Sequence, residues 1–192
     1  MSSIIAPLTP GNFFHIYNRG INSGLIFFSQ DNYQFFLDCF AKYVLEFVDI
    51  FAYCLLPNHF HLLIRIRDDS FVNISRQFSN MFNSYAKAIN KRENRHGSLF
   101  EKPFRRKLIS NDAYLYRLIF YIHSNPKHHK IHDRFDTYIH SSYRAIISDK
   151  MTNLQRDSIL DWFGGRHEFV KFHSIGLENS TVNQFMLEHD FR

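Results

Sequence analysis

A chain of 192 residues that is 45% hydrophobic and 17% aromatic is long enough to bury a core and too apolar to be disordered. Its net charge is only +5, yet residues 85 to 130 hold eleven Lys or Arg against Glu93, Glu101 and Asp112, +8 in that stretch alone. Basic charge concentrated among aromatics points to a nucleic-acid partner. Two Cys in apolar runs exclude a disulfide scaffold, and no apolar run reaches membrane length, so a soluble cytoplasmic protein without a signal peptide is expected.

FFHIYNR (13–19) is rich in aromatic and β-branched residues and predicts a first strand, ended by Gly20. After LIFF, Asp31 predicts the cap of a helix in which Tyr33, Phe36, Leu37, Phe40, Tyr43 and Val44 recur at helical spacing. IFAYCLL (50–56) and HFHLLIRI (59–66) predict two strands joined by a tight turn at Pro57 and Asn58. A second helix is predicted from about 71 to 92, with Ile74, Phe78, Met81, Phe82 and Tyr85 on one side. FRRKLI (104–109) predicts a further strand, and Ser110 the cap of a helix that Pro126 stops near Asn125.

The order β-α-β-β-α-β-α predicts an α+β fold: a ferredoxin-like antiparallel sheet with helices on one face, plus one added helix. Residues 1–143 are expected to form this domain and 144–192 a helical appendage packed on it. In the appendage Thr152 and Gln155 predict a capping box, followed by a short helix to Phe163 that Gly164 and Gly165 end.

His59 and His61 stand two apart on a predicted strand, so both rings project from one face and could share a divalent cation, while Phe60, Leu62, Ile64 and Ile66 face the core. With 12 His in the chain, chance alone supplies roughly 0.7 such pairs, so the pair needs company. LYRLIFYIHSNP (115–126) offers it: Tyr121 and Asn125 are four apart on one helix, a phenol able to attack and an amide oxygen able to serve as a hard ligand. Tyr114 lies on the same face as Tyr121 but about two turns further from Asn125, and Tyr116 points about 140° away from Tyr121. Lys87, Lys91, Arg92 and Arg95 leave the second helix, while Arg105, Arg106 and Lys107 occupy the last strand; these could hold backbone phosphates, with Phe100 or Phe104 stacking on a base. Strand alternation separates Arg106 from Arg105 and Lys107.

LPNHFHLLI resembles the HUH signature of single-strand endonucleases. Together with GSLFEKPFRRK and YIHSNP, it is similar to the REP-associated tyrosine transposases, relatives of the small insertion-sequence transposases with one catalytic tyrosine. HIYNRG, YIHSSY and DWFGGRHEF add to the likeness, which covers most of residues 13–170. The resemblance implies Tyr121 as nucleophile, and Mg²⁺ or Mn²⁺ bound by His59, His61 and Asn125, with His123 or a water as substitutes for the third ligand. It implies cleavage and joining of single-stranded or hairpin DNA through a 5′-phosphotyrosine, without a nucleotide cofactor, in a bacterial, nucleoid-associated setting. A monomer with both parts of the site in one chain is expected, and a dimer with shared sites is the alternative. The rival functions are a replication-initiator nickase, a catalytically idle hairpin-binding protein and an RNA-binding domain with incidental histidines.

Overall fold

The computed structural model describes residues 6–176. Four strands, β1 (Phe13–Arg19), β2 (Val48–Leu56), β3 (His59–Ile66) and β4 (Arg105–Ile109), form one antiparallel sheet in the order β2-β3-β1-β4. This is the ferredoxin-like order, as expected. Between them run α1 (Gln30–Tyr43) and α2 (Ile74–Arg92), and after β4 comes α3 (Asp112–His128).

Period-2 alternation decides what each face of the sheet carries. Phe14 and Ile16 of β1 and Phe60, Leu62 and Ile64 of β3 are all fully buried. Phe60 meets Phe36 of α1 at 5.0 Å and Phe82 of α2 at 5.6 Å between ring centroids. Tyr85 is also enclosed, and its hydroxyl donates to the Ile26 carbonyl at 2.7 Å, so the polar end of the ring is satisfied. The opposite face carries His15, Tyr17, His59 and His61, and α3 lies across it against β2 and β3.

Beyond α3, the chain covers the outer edge of β2. Leu55 N–H donates to His140 O, Ser142 N–H to Tyr53 O and Gln155 N–H to Ile50 O, each at 2.9 Å, which satisfies edge groups that would otherwise invite foreign strands. A bulge between Ile50 and Ala52 accompanies Phe51, whose ring stacks on Trp162 at 4.9 Å. Short helices α4 (Tyr143–Ile147), α5 (Arg156–Phe163) and α6 (Arg166–Gly176) complete the described chain; residues 177–192 of the expected appendage lie outside it. Cys39 and Cys54 are buried free thiols. No described helix is long and apolar enough to cross a membrane.

Several helix ends differ from expectation, and each difference has a local cause. Ser29 rather than Asp31 caps α1, in a capping box with Asn32. Asn73 caps α2 by accepting from Arg76 N–H, so the helix starts later than predicted and leaves Phe71 94% exposed. Asn111, not Ser110, caps α3 through Tyr114 N–H. Pro126 does not stop α3, which continues to His128 with Asn125 inside it. A proline so near the helix end removes a single ladder bond; Pro126 is itself buried, and its carbonyl accepts from both Ile131 and His132 N–H. The capping box at Thr152 does not form, because Thr152 Oγ1 accepts from Leu154 N–H and α5 begins only at Arg156. Gly164, at φ 80°, ends α5 in the left-handed region as expected.

Candidate active site

The register of β1 against β3 sets Tyr17 opposite His61 and Arg19 opposite His59. Strand alternation turns His15 and Tyr17 to the same side as these two histidines, and the His15 and Tyr17 rings stack at 4.6 Å. α3 lays Tyr121 on this patch, with its ring edge-on to His61 at 5.2 Å and to His15 at 6.1 Å. Sheet and helix of one chain thus bring together the tyrosine and the histidine pair singled out in the sequence.

One turn further along α3, the Asn125 amide folds back so that Nδ2 donates to Tyr121 O at 2.6 Å. Its Oδ1 is buried and meets no donor at hydrogen-bonding geometry among the described residues. The same amide faces His59, where it favours the protonated ring. Burial outweighs that effect and, helped by neighbouring His129 and Arg19, lowers the His59 pKa to about 3, so the ring is neutral near pH 7.

Both histidines are held through Nδ1. His59 Nδ1 lies 2.7 Å from Asn58 Oδ1, and Asn58 Nδ2 donates to Ser23 O at 3.2 Å. His61 Nδ1 lies 2.9 Å from His15 Nε2. The turn that carries Ser23 fits closely. A side chain on Gly20 would collide with the Gly24 carbonyl, and Gly20 N–H donates to Asn58 O at 2.8 Å.

Among the described residues, no three His, Cys, Asp or Glu side chains converge on one point. Any cation here would have to be held by a smaller set, the imidazoles of His59 and His61 and the amide oxygen of Asn125. A neutral His59 and a buried Asn125 Oδ1 without a donor suit a divalent cation. His123, considered as a substitute ligand, is not brought there: its ring nitrogens lie 2.9 Å from His173 Nε2 and 2.8 Å from Ser142 Oγ. Tyr116 is likewise turned away, its hydroxyl donating to Trp162 O at 3.1 Å, and the Tyr114 ring sits beside Lys107 Nζ at 4.5 Å.

The sequence reasoning missed three neighbours. His15 shares the His61 face through β1 pairing, Asn58 sits in the hairpin turn, and His129 follows α3 with its ring 4.6 Å from that of His59. Tyr121, Asn125 and His129 follow one another at intervals of four, a helical stripe obscured by the assumption that Pro126 ends the helix. His59 and His129 also line a cleft of about 620 Å³ together with Arg19, Leu25, Asn58 and Ile131, which reaches His59 but not the fully buried Tyr121, His61 or Asn125.

The seven basic residues do not form one surface. Lys87, Lys91 and Arg92 are exposed on α2, where Arg92 lies 3.9 Å from Asp31, and Arg95 rests on the Phe28 ring at 5.5 Å. On β4, Arg105 and Lys107 pair with Tyr17 and His15 and so flank the histidine face. Arg106 lies on the helix-packed side, over the Phe104 ring at 4.7 Å and bonded to the Ser75 hydroxyl, and burial lowers its pKa. Phe100 and Phe104 are core residues, 5% and 8% exposed, so the suggestion that they stack on an exposed base does not hold.

No protein-family model and no curated protein matches this chain. Solved structures do match it. A REP-associated tyrosine transposase bound to a REP hairpin aligns with a TM-score of 0.64 over 78% of this chain and 87% of that one, at 14% identity. At that identity the likeness is one of fold, a four-stranded antiparallel sheet with helices arranged as in the transposase.

Proposed function

We propose that this protein is a tyrosine nuclease and strand-transferase of the HUH type, acting on single-stranded or hairpin DNA. The observation that carries the reading is the meeting of Tyr121, His61 and His15 beneath α3, with His59 and Asn125 beside them. The transposase fold and the transposase's hairpin ligand are consistent with it.

Tyr121 would attack a backbone phosphorus, forming a phenolic ester and breaking the bond to the 3′ oxygen. The phenol gives up its proton and the departing 3′ oxygen gains one, so the products are a 5′-phosphotyrosine and a free 3′-hydroxyl. Because one phosphoester replaces another, a 3′-hydroxyl can reverse the step and join strands. His59, His61 and Asn125 would hold Mg²⁺ or Mn²⁺, which when bound supplies Lewis-acid stabilisation of the charge developing on the phosphate. Arg105 and Lys107 beside the site and the exposed cations of α2 would bind flanking phosphates. Such an enzyme would need no nucleotide cofactor, would work at a bacterial chromosome, and would have both parts of its site in one chain.

The test is covalent capture. With labelled hairpin DNA and Mn²⁺, the wild type is expected to yield a protein–DNA adduct, and Tyr121→Phe to bind the hairpin without forming one. Normal cutting by Tyr121→Phe would sink the assignment, whereas hairpin binding with no adduct from the wild type would favour an idle binding protein.

A further inference from the structure

We infer that Asn58 and His15 are positioning residues that set the proton on each metal-binding imidazole, an inference resting on the metal reading above. A histidine can ligate only through a nitrogen that carries a lone pair, and the hydrogen bond at its other nitrogen decides which one that is. The Asn58 amide has two neighbours of known polarity. The Ser23 carbonyl, 3.2 Å from Nδ2, can only accept, so the NH₂ end of Asn58 must face it. Asn58 Oδ1 is thereby turned to His59 Nδ1 at 2.7 Å, and as an oxygen acceptor it requires Nδ1 to hold the proton. The lone pair of His59 then lies on Nε2. The orientation is secured by the turn, because Gly20 N–H binds the Asn58 carbonyl and any side chain at Gly20 would push Gly24 out of place.

In this proposal His15 takes the corresponding role at His61, as the acceptor of its Nδ1 proton. The 2.9 Å contact between His15 Nε2 and His61 Nδ1 contains one proton when both rings are neutral. Metal binding through His61 Nε2 requires that proton to sit on His61 Nδ1, with His15 carrying its own proton on Nδ1. His15 is itself fixed, fully buried and stacked on Tyr17. With the metal bound, two unrelated side chains, from β1 and from the hairpin turn, would then hold the two rings in the same sense.

The experiment uses the full chain and two readouts: Mn²⁺ titration calorimetry, and ring-nitrogen NMR of the metal-free protein. Asn58→Ala and His15→Phe, the latter keeping a ring on Tyr17, are each expected to weaken Mn²⁺ by about 10- to 100-fold with hairpin affinity unchanged. Asn58→Asp keeps an oxygen acceptor for His59 Nδ1 and is expected to recover most of the affinity. In the wild type, the NMR should place the His59 proton on Nδ1, and Asn58→Ala should remove that preference. Wild-type Mn²⁺ affinity in a folded Asn58→Ala, or a His59 proton found on Nε2, overturns the inference. If the wild type binds no Mn²⁺ through His59 and His61, the metal reading falls instead, and NMR still decides the positioning claim. Should His15→Phe fail to fold, His15→Gln replaces it and the Asn58 arm stands by itself.

Discussion

The two faces of the sheet are made by the same strands, and alternate residues of β1 and β3 meet opposite fates. On the side of α1 and α2, Phe14, Ile16, Phe60, Leu62 and Ile64 close into a core without a polar side chain on either strand until Asn18. On the side of α3, His15, His59 and His61 are as deeply buried, yet each is hydrogen-bonded. Burying imidazoles is favourable only when their nitrogens are satisfied and their charge is suppressed. One face is thus organised for stability by packing, and the other holds a polar layer at a cost in stability, as functional layers commonly do.

Substitutions on the two faces should separate these roles. Phe60→Ala opens a cavity against Phe36, Phe82 and Phe100 and is expected to cost about 3–5 kcal/mol in denaturant unfolding. His61→Ala removes one buried hydrogen bond and is expected to cost only about 1–3 kcal/mol while abolishing metal-dependent cleavage. Equal stability losses would erase the distinction between the faces.

Acid should act through the α3 side. Burial holds His59 at about 3 and His173 at about 4, below the ordinary value of 6.5, so the unfolded chain takes up these protons first. Stability is therefore complete above pH 6.5 and falls as the pH drops from 6.5 toward 4. His173 alone accounts for roughly 3 kcal/mol over that window. In pH-dependent melts, His173→Asn should flatten the slope, and an unchanged slope would remove His173 from the account.

Outside both faces the expected effects are smaller. Neutralising Lys91 and Arg92 together should reduce the salt dependence of hairpin binding by about two counterions, with little change in melting temperature. Last, mixing Tyr121→Phe with His59→Ala protein should restore no cleavage, since one chain places Tyr121 beside its own His61. Recovered cleavage would reveal sites shared between two copies.

The strands were the legible part of the sequence. β1 and β3 have the predicted bounds because each joins a sharp turn signal to dense aromatic and branched residues. Helix ends were less legible, since Ser29, Asn73 and Asn111 compete with neighbours of similar capping strength and only the local hydrogen bonds choose among them. In the site, the pairs visible at short spacing, His59 with His61 and Tyr121 with Asn125, do come together. The partners that orient them do not announce themselves: His15 reaches His61 across 46 residues through a strand register that no local pattern encodes.

The buried chain around His123 has a mechanical consequence. His173 Nδ1–H donates to Phe169 O at 2.9 Å, so in the neutral pair His123 must donate from Nδ1 to His173 Nε2. His123 Nε2 is then left to accept from Ser142, whose hydroxyl also receives Tyr53 N–H from β2 at 2.9 Å. This linkage acts as a key in a slot. Sliding α3 by one residue would translate it about 1.5 Å and rotate it about 100°, withdrawing His123 from Ser142 and swinging Tyr121 off His61 in a single movement. The angular setting of the tyrosine is thereby clocked from the far side of its helix, by residues that never approach the site.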